Sequence, residues 1–137
     1  MNDFLKSLAI SSSGLKAQSG RILTISENVA NADSLPTKRG DLPYQRKIAR
    51  FERKFDAELG AETVKLGRVA KDRTPFVQKL DPGHPAADAN GYVQTPNVNP
   101  LIETMDLAQA QTSYQAGLNA IKATRSMMQA TLGILRV

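Results

Sequence analysis

The prolines of this chain lie only in its middle, and this distribution constrains the fold more than any other feature. All seven fall between residues 36 and 100, at Pro36, Pro43, Pro75, Pro82, Pro85, Pro96 and Pro100. A proline inside a helix costs about 3 kcal/mol. Long helices therefore fit the two proline-free ends, and short strands and loops fit the middle. We expect a helix at each end and an irregular or β-rich region between them.

The C-terminal segment, residues 99–137, carries the clearest helix pattern. Asn99 suits the N-cap and Pro100 the first helical position, while Glu103 and Asp106 suit the positive N-terminal end. A helix of this length is roughly 50 Å long, and its apolar stripe needs a partner. Apolar residues recur at seven-residue intervals, with two leucines on the same side four residues after members of the series. These residues are Leu107, Tyr114, Ile121, Met128 and Leu135, with Leu118 and Leu132 between them.

The N-terminal segment, residues 3–32, repeats the pattern more weakly. Ser11 and Gln18 interrupt its apolar face, and Gly14 and Gly20 lower its helix propensity. We expect a marginal helix that needs a partner for stability. The apolar face consists of Leu8, Leu15, Ile22 and Val29 at seven-residue intervals, with Phe4 and Ile25 beside them.

Two asparagines stand near the expected end of the N-terminal helix, and Pro36 follows them closely. Asn28 and Asn31 can end the helix locally or form hydrogen bonds with a neighbouring chain. Local termination is the interpretation we favour for both residues.

Two terminal segments with the same seven-residue repeat pair most simply as an antiparallel coiled coil. The predicted fold is mainly α with a small β-rich middle. Residues 1–35 and 100–137 would form one helical domain, and residues 36–99 an outer β-rich and loop region. The pattern leaves open whether the two apolar series face each other within one subunit or mainly face other subunits.

The middle region contains several short strand candidates. Residues 63–66, 76–80 and 92–95 read as strands, whereas residues 44–59 fit either a strand or a helix. The sequence pattern therefore does not determine the fold of residues 45–75.

Residues 38–54 carry as much net positive charge as the whole chain. Seven basic residues and two acidic ones give this stretch +5, which is also the total. A surface facing an acidic partner or nucleic acid would use Arg46, Lys47, Arg50 and Arg53. The alternative, which we favour, is a solvated face. One candidate function is therefore a basic module that binds nucleic acid or an acidic partner. Few aromatic residues are available to stack on bases, which argues against it.

No group of residues in the sequence predicts catalysis, a cofactor site or a metal site. Cysteine is absent and His84 is the one histidine, so thiolate chemistry and histidine metal clusters are excluded. Asp88 to Gly91 resembles part of a calcium loop but lacks the first ligand and the final acidic ligand, so a turn is expected there. We also expect no membrane span and no cleavable leader peptide.

Two stretches resemble the flagellar axial proteins of bacteria. SGLKAQSGRILTISENVANADSLPTKRGDLPYQRK is similar to the N-terminal region shared by rod, hook and hook-junction proteins, with Asn28 and Asn31 among the matching positions. DPGHPAADANGYVQTPNVN, followed by SYQAGLNAIKATRSMMQATL, resembles the proximal-rod (FlgC) family of the basal body. The loop motif is the more specific, and its characteristic residues are Asp81, Pro82, Gly83, Asn90, Gly91, Tyr92, Pro96 and Asn97.

The resemblance implies a noncatalytic structural subunit. Terminal helices of such proteins pack into the inner tube of the axis, and a β-rich middle faces outward. It further implies export without signal cleavage through the flagellar type III apparatus and polymerisation into a hollow periplasmic rod that carries torque. The implied partners are further copies, neighbouring rod proteins, the MS-ring or rod adaptor and the distal rod.

Overall fold

Along the chain, two long terminal helices flank three small two-stranded sheets in the computed structural model, which describes residues 2–135. This arrangement confirms the prediction of terminal helices with short strands between them, and each pair of strands is antiparallel. The elements in chain order are α1 (Asn2–Ala30), β1 (Lys47–Ile48), β2 (Phe51–Asp56), β3 (Ala61–Leu66), β4 (Ala70–Lys71), β5 (Val77–Leu80), β6 (Tyr92–Thr95) and α2 (Pro100–Leu135).

Helix α2 begins as its capping residues predict. The side-chain Oδ1 of Asn99 accepts hydrogen bonds from the backbone amides of Leu101, at 3.0 Å, and Ile102, at 3.4 Å. Two of the free amides of the first turn are thereby satisfied. The last two residues of the predicted helix, Arg136 and Val137, lie outside the described residues.

Helix α1 ends two residues before the expected position, at Ala30. Its two glycines lie inside the helix, and Gly20 has a packing role there. A Cβ at this position would be 2.7 Å from Cδ2 of Leu66, so glycine allows the β3 leucine to approach the helix backbone closely. By contrast, a Cβ at Gly14 would meet nothing within 4 Å.

The described residues form two compact units, and each unit includes part of both helices. Unit 1 contains residues up to 22, residues 49–68 and residues from 108 onward. Unit 2 contains residues 23–48 and 69–107.

The sheet of unit 1 is the antiparallel hairpin β2–β3, in which Phe51 pairs with Leu66 and Asp56 with Ala61. This hairpin resolves the ambiguity of the basic segment in favour of a strand. The connection between β2 and β3 turns at Gly60, whose φ of 61° suits glycine. The amide of Val64 donates to Oγ of Ser13 at 3.2 Å, which holds the hairpin along α1.

Unit 2 contains the sheets β1–β4 and β5–β6, both antiparallel. Val93 in β6 is fully buried, at 0% exposure, and anchors this unit. Within residues 2–135, neither helix is both long and apolar enough to cross a membrane.

Candidate functional site

The two helices pack against each other in unit 1 through a leucine and a glycine. A Cβ on Gly117 of α2 would be 2.8 Å from Cδ2 of Leu15 of α1, so the leucine side chain lies directly on the α2 backbone. Nη2 of Arg21 donates to Oε1 of Gln109 at 3.2 Å. From the first contact to the second, the residue number rises from 15 to 21 on α1 and falls from 117 to 109 on α2. The two segments therefore run in opposite directions.

Helix α2 presents a regular seam, which we define as the residues that are buried or half-buried at alternating intervals of four and three. Leu107, Tyr114, Ile121 and Met128 occupy one column, as the heptad series predicts. The second column lies three residues after members of this series, rather than four, and its side chains are small. Ala110 and Thr124 are buried there, with Gly117 between them. Small residues in this column allow close helix approach.

The other predicted assembly residues differ in exposure. Leu118 is half-buried, and Leu8, Leu15 and Ile22 of α1 are also half-buried. Ile25 is buried, at 6% exposure. Val29, Leu132 and Leu135 are exposed, at 36%, 39% and 75%. A role for these three in contacts with other chains stays a prediction.

A group of buried and half-buried polar side chains joins the end of α1 to the start of α2 in unit 2. We call it the polar junction and define it as Asn28, Tyr44, Arg46, Asp72 and Glu103. Asn28, which is 1% exposed, uses both polar atoms of its side chain. Its Nδ2 donates to the backbone oxygen of Lys47 at 2.8 Å and to Oε2 of Glu103 at 3.0 Å. Its Oδ1 accepts from the hydroxyl of Tyr44 and from the backbone amide of Lys47, both at 2.9 Å.

Glu103 is the charged centre of the polar junction and is 1% exposed. Nε of Arg46 donates to Oε1 of Glu103, and Nη1 of Arg46 lies 3.2 Å from Oδ2 of Asp72. A buried carboxylate is costly unless it is paired and hydrogen-bonded, and Arg46 together with Asn28 satisfies both requirements. The junction therefore fixes β1 and both helix ends in one arrangement.

Three members of the polar junction have pKa values shifted from the ordinary ones. Burial lowers the pKa of Arg46, but the hydrogen bond and charge of Glu103, followed by those of Asp72, raise it overall. The pKa of Asp72 is lowered, first by the backbone amide of Thr74 and also by Arg46. Burial raises the pKa of Tyr44. The ionised forms of Arg46 and Asp72 are thus favoured.

The expectation for Asn28 was wrong, whereas that for Asn31 is confirmed. Asn28 reaches across to β1 and α2, because its position in the last turn of α1 points it into the interior of unit 2. Asn31 ends the helix locally, since its Nδ2 donates to the backbone oxygen of Glu27 at 2.8 Å. Glu103 lies in the first turn of α2, as predicted, but its carboxylate is held by side chains.

The predicted basic surface is divided between intrachain ion pairs and open positions. Arg46 belongs to the polar junction, and Nζ of Lys47 lies 2.8 Å from Oε2 of Glu27, which raises the pKa of Lys47. Arg53 lies 3.6 Å from Glu62, with both side chains exposed, and Arg50 is exposed. A partner-facing role therefore stays a prediction for the exposed part of this surface.

The loop motif of residues 81–97 forms a self-supporting turn structure. The amide of Asp81 donates to the backbone oxygen of Gly91 at 2.9 Å, and Oδ1 of Asp88 accepts from the amides of Asn90 and Tyr92, each at 2.9 Å. Gly91 has a φ of 83°, a value that favours glycine. These bonds confirm the predicted turn. His84 bonds locally, as expected, because its Nδ1 accepts from the amide of Ala86 at 3.1 Å.

The remaining motif residues lie on the surface or connect to the polar junction. Pro82, Gly83 and Asn90 are exposed, and Pro96 is buried. Asn97 has a connecting role: its Oδ1 accepts from the amide of Arg46 at 2.8 Å, and its Nδ2 donates to the backbone oxygen of Asp72 at 3.1 Å. The end of the motif thus positions two members of the junction.

The sequence interpretation missed the pairing of Glu103 with Arg46 and Asp72. One signal was available, because Glu103 lies four residues before Leu107 and therefore falls on the α2 seam. A carboxylate at a seam position needs a buried cation, and residues 38–54 supply several. The identity of that cation requires the path of the chain between residues 31 and 46, which no periodicity encodes.

Comparisons with known proteins agree with this architecture of two packed helices and a turn motif. Residues 89–134 match the family described as the C-terminal region of the flagellar basal body rod proteins FlgEFG. The match includes β6 and most of α2, and it defines a class, the flagellar basal-body rod proteins.

Individual relatives extend the similarity over nearly the whole chain. The flagellar basal-body rod protein FlgC of Agrobacterium fabrum is 45% identical over 127 residues, which covers 93% of this chain and 91% of that protein. FlgC of Salmonella typhimurium is 40% identical, over 90% and 91% of the two chains, and that of Bacillus subtilis 36%, over 93% and 95%. The chain belongs to the FlgC family of flagellar basal-body rod proteins. It is a structural rod subunit and not an enzyme.

Proposed function

We propose that this rod subunit builds the proximal rod and polymerises through its terminal helices into a hollow drive shaft. The shaft transmits torque from motor to hook and passes exported subunits through its lumen. The supporting observation is the number of large apolar side chains that both helices leave exposed, since such surfaces commonly mark protein interfaces. They are Leu5, Ile10, Leu23 and Val29 on α1, and Leu101, Ile102, Met105, Met127, Leu132, Ile134 and Leu135 on α2.

The proposed shaft contact is an antiparallel coiled coil of α1 and α2 that also binds helices of other subunits. The contacts of Leu15 with Gly117 and of Arg21 with Gln109 support the antiparallel direction. The alternating intervals of the α2 seam support coiled-coil packing. Residues 1–35 and 100–137 would then form the axial part of the subunit and residues 36–99 its outer part.

The proposed partners are further copies of the chain, the MS-ring or rod adaptor, the neighbouring rod proteins and the distal rod. Export would use the flagellar type III apparatus without cleavage of a signal peptide, and the assembled subunit would lie in the periplasm. The structure weakens the case for a nucleic-acid-binding role of residues 38–54. Arg46 and Lys47, two of its proposed contacts, are engaged by carboxylates of their own chain.

A charge on the α2 seam tests the proposed assembly. Ile121 is half-buried on this seam, whereas Asn119 is exposed on the same helix. We expect Ile121→Asp to abolish incorporation into basal bodies and swimming motility, because a carboxylate in an apolar contact is strongly unfavourable. Asn119→Asp introduces the same charge as a matched control and should preserve both properties. Normal motility of the Ile121 variant, at normal protein levels, would contradict assembly through the helices.

A further inference from the structure

The turn of the loop motif contains the one asparagine of the chain that is followed by glycine. Asn90 is exposed, and Gly91 comes directly after it. The side-chain amide of an asparagine can be attacked by the backbone nitrogen of the next residue, and glycine at that position has no Cβ to hinder the attack. The step from Asn90 to Gly91 therefore has the chemistry of spontaneous deamidation.

This reaction needs no reagent other than water. The backbone nitrogen of Gly91 loses its proton and forms a bond to Cγ of Asn90, while the bond from Cγ to Nδ2 breaks and ammonia leaves. Water then hydrolyses the resulting five-membered succinimide at either of its two carbonyl groups. The products are aspartate and isoaspartate, and in isoaspartate the main chain runs through the former side chain and is one methylene longer.

In the folded chain, hydrogen bonds hold the backbone of Gly91 on both sides. Its amide donates to the backbone oxygen of Asp88 at 3.0 Å, and its oxygen accepts from the amide of Asp81 at 2.9 Å. The proton that the attacking nitrogen must lose is thus engaged in a hydrogen bond. The peptide units before and after Gly91 are both restrained.

The side chain of Asp88 adds a second restraint. Its Oδ1 accepts from the amides of Asn90 and Tyr92, each at 2.9 Å. The backbone of Asn90 must rotate before the nitrogen of Gly91 can approach Cγ, and this rotation breaks part of the hydrogen-bond set. The turn therefore raises the barrier to ring closure as long as it is formed.

We propose that Asn90 is a deamidation site that the folded turn protects and that becomes reactive while the chain is unfolded. Isoaspartate, once formed, does not fit the turn, because the extra methylene separates the two amides that Asp88 binds. Tyr92 follows directly and pairs with Leu80 at the end of the β5–β6 sheet. The modification thus impairs refolding of unit 2 in chains that stay unfolded for long. This inference is independent of the proposed rod function.

Mass spectrometry of aged protein tests this proposal. The purified chain is incubated at neutral pH, either folded or in guanidinium chloride, and aspartate and isoaspartate at position 90 are quantified in its peptides. In denaturant we expect Asn90 to deamidate faster than Asn119, an exposed asparagine of α2 that precedes alanine. In the folded chain we expect the rate at Asn90 to fall by about tenfold or more, because several hydrogen bonds must break before the ring closes.

A variant isolates the contribution of the Asp88 side chain. Asp88→Ala removes the acceptor of two amides, and its folded chain should deamidate at Asn90 several-fold faster than the folded wild type. Asp33→Ala, the same loss of a carboxylate at an exposed position of unit 2, should leave the rate unchanged. The comparison of folded and denatured wild type decides the proposal even if Asp88→Ala does not fold.

Two results would overturn the proposal. Equal rates at Asn90 in the folded and the denatured chain would show that the turn gives no protection. A rate at Asn90 in denaturant no higher than that at Asn119 would show that Asn90 is not a preferred site. Neither measurement involves basal bodies, so a failure of this inference leaves the proposed rod function untouched.

Discussion

The two units of the chain differ in how completely they bury their own side chains. Unit 2 contains most of the buried residues of the described range, and Asn28, Val93 and Glu103 are each at most 1% exposed. In unit 1, the described residues that are buried are Ala17, Ala110 and Thr124, all of them small. Burial of large side chains stabilises a fold most, so unit 2 has the stronger interior.

The polar groups show the same difference. In unit 2 the amide of Asn28 uses both of its polar atoms, and Glu103 has a cation and an amide donor. In unit 1 Oε1 of Gln18 is buried without a partner. Exposed apolar side chains occur in both units, so exposure alone does not separate them. Among the described residues, unit 2 thus pairs the polar groups of its interior more completely than unit 1 does.

The largest expected effect that tests this comparison is loss of the carboxylate in the polar junction. Glu103→Ala removes one acceptor of Arg46 and one of Nδ2 of Asn28, while Asp72 and the backbone oxygen of Lys47 remain. We expect the free energy of unfolding of unit 2 to fall by about 2–3 kcal/mol, because the variant loses two buried hydrogen bonds to a charged group. Hydrogen exchange of the monomer measures this loss, because it follows the amides of each unit separately.

A matched control uses the outer acidic neighbour of Arg46. Asp106 lies 3.9 Å from Nη2 of Arg46, and its side chain is 38% exposed. Asp106→Ala should change the unfolding free energy by at most about 1 kcal/mol, as exposed ion pairs contribute little. Equal losses for the two variants would show that burial does not set the strength of the junction.

The next effect concerns unit 1. Leu15→Ala removes the side chain that lies on Gly117. Because Leu15 is only half-buried, we expect a loss of about 1–2 kcal/mol, below the range of about 2–5 for a fully buried leucine. Amides of unit 1 should lose protection from hydrogen exchange.

A leucine on the exposed side of the same helix provides the comparison. Leu5 is 53% exposed, and Leu5→Ala should change the stability of monomeric unit 1 by about 0.5 kcal/mol or less. If Leu15→Ala destabilised the monomer as much as Glu103→Ala, unit 1 would be as self-sufficient as unit 2, and the contrast between them would fail.

The elements that follow a local rule could be predicted from the sequence. The proline distribution gave both helices, the N-cap residue Asn99 gave the start of α2, and the heptad series identified Leu107, Tyr114, Ile121 and Met128 as one column of its seam. These features depend on neighbours within one or two turns. The loop motif also read correctly as a turn, because Asp88 and Gly91 encode that geometry locally.

The features that the sequence did not predict depend on contacts between distant segments. The polar junction brings together residues 28, 46, 72 and 103, and no period relates them. The second column of the seam was expected at leucines and instead contains Ala110, Gly117 and Thr124. Apolarity alone does not distinguish a leucine that faces a neighbour from a small residue that allows close approach. The packing role of Gly20 was not predicted either, because it depends on the position of Leu66, which is distant in the sequence.

The smallest predicted effect is the acid sensitivity that Asp72 gives to unit 2. The amide of Thr74 and the guanidinium of Arg46 lower its pKa. The stability from this carboxylate is therefore present above its ordinary pKa, near 4, and is lost as the pH falls through the lower pKa of the folded state. Urea unfolding followed by circular dichroism should show this loss below about pH 4.

Asp72→Asn should weaken that part of the pH dependence and cost about 1 kcal/mol or less at neutral pH. Asp33→Asn, at an exposed position of unit 2, should leave the pH dependence unchanged. A pH profile of Asp72→Asn identical to that of the wild type would mean that the interactions of Asp72 do not contribute to stability, and that Glu103 alone holds Arg46 in place.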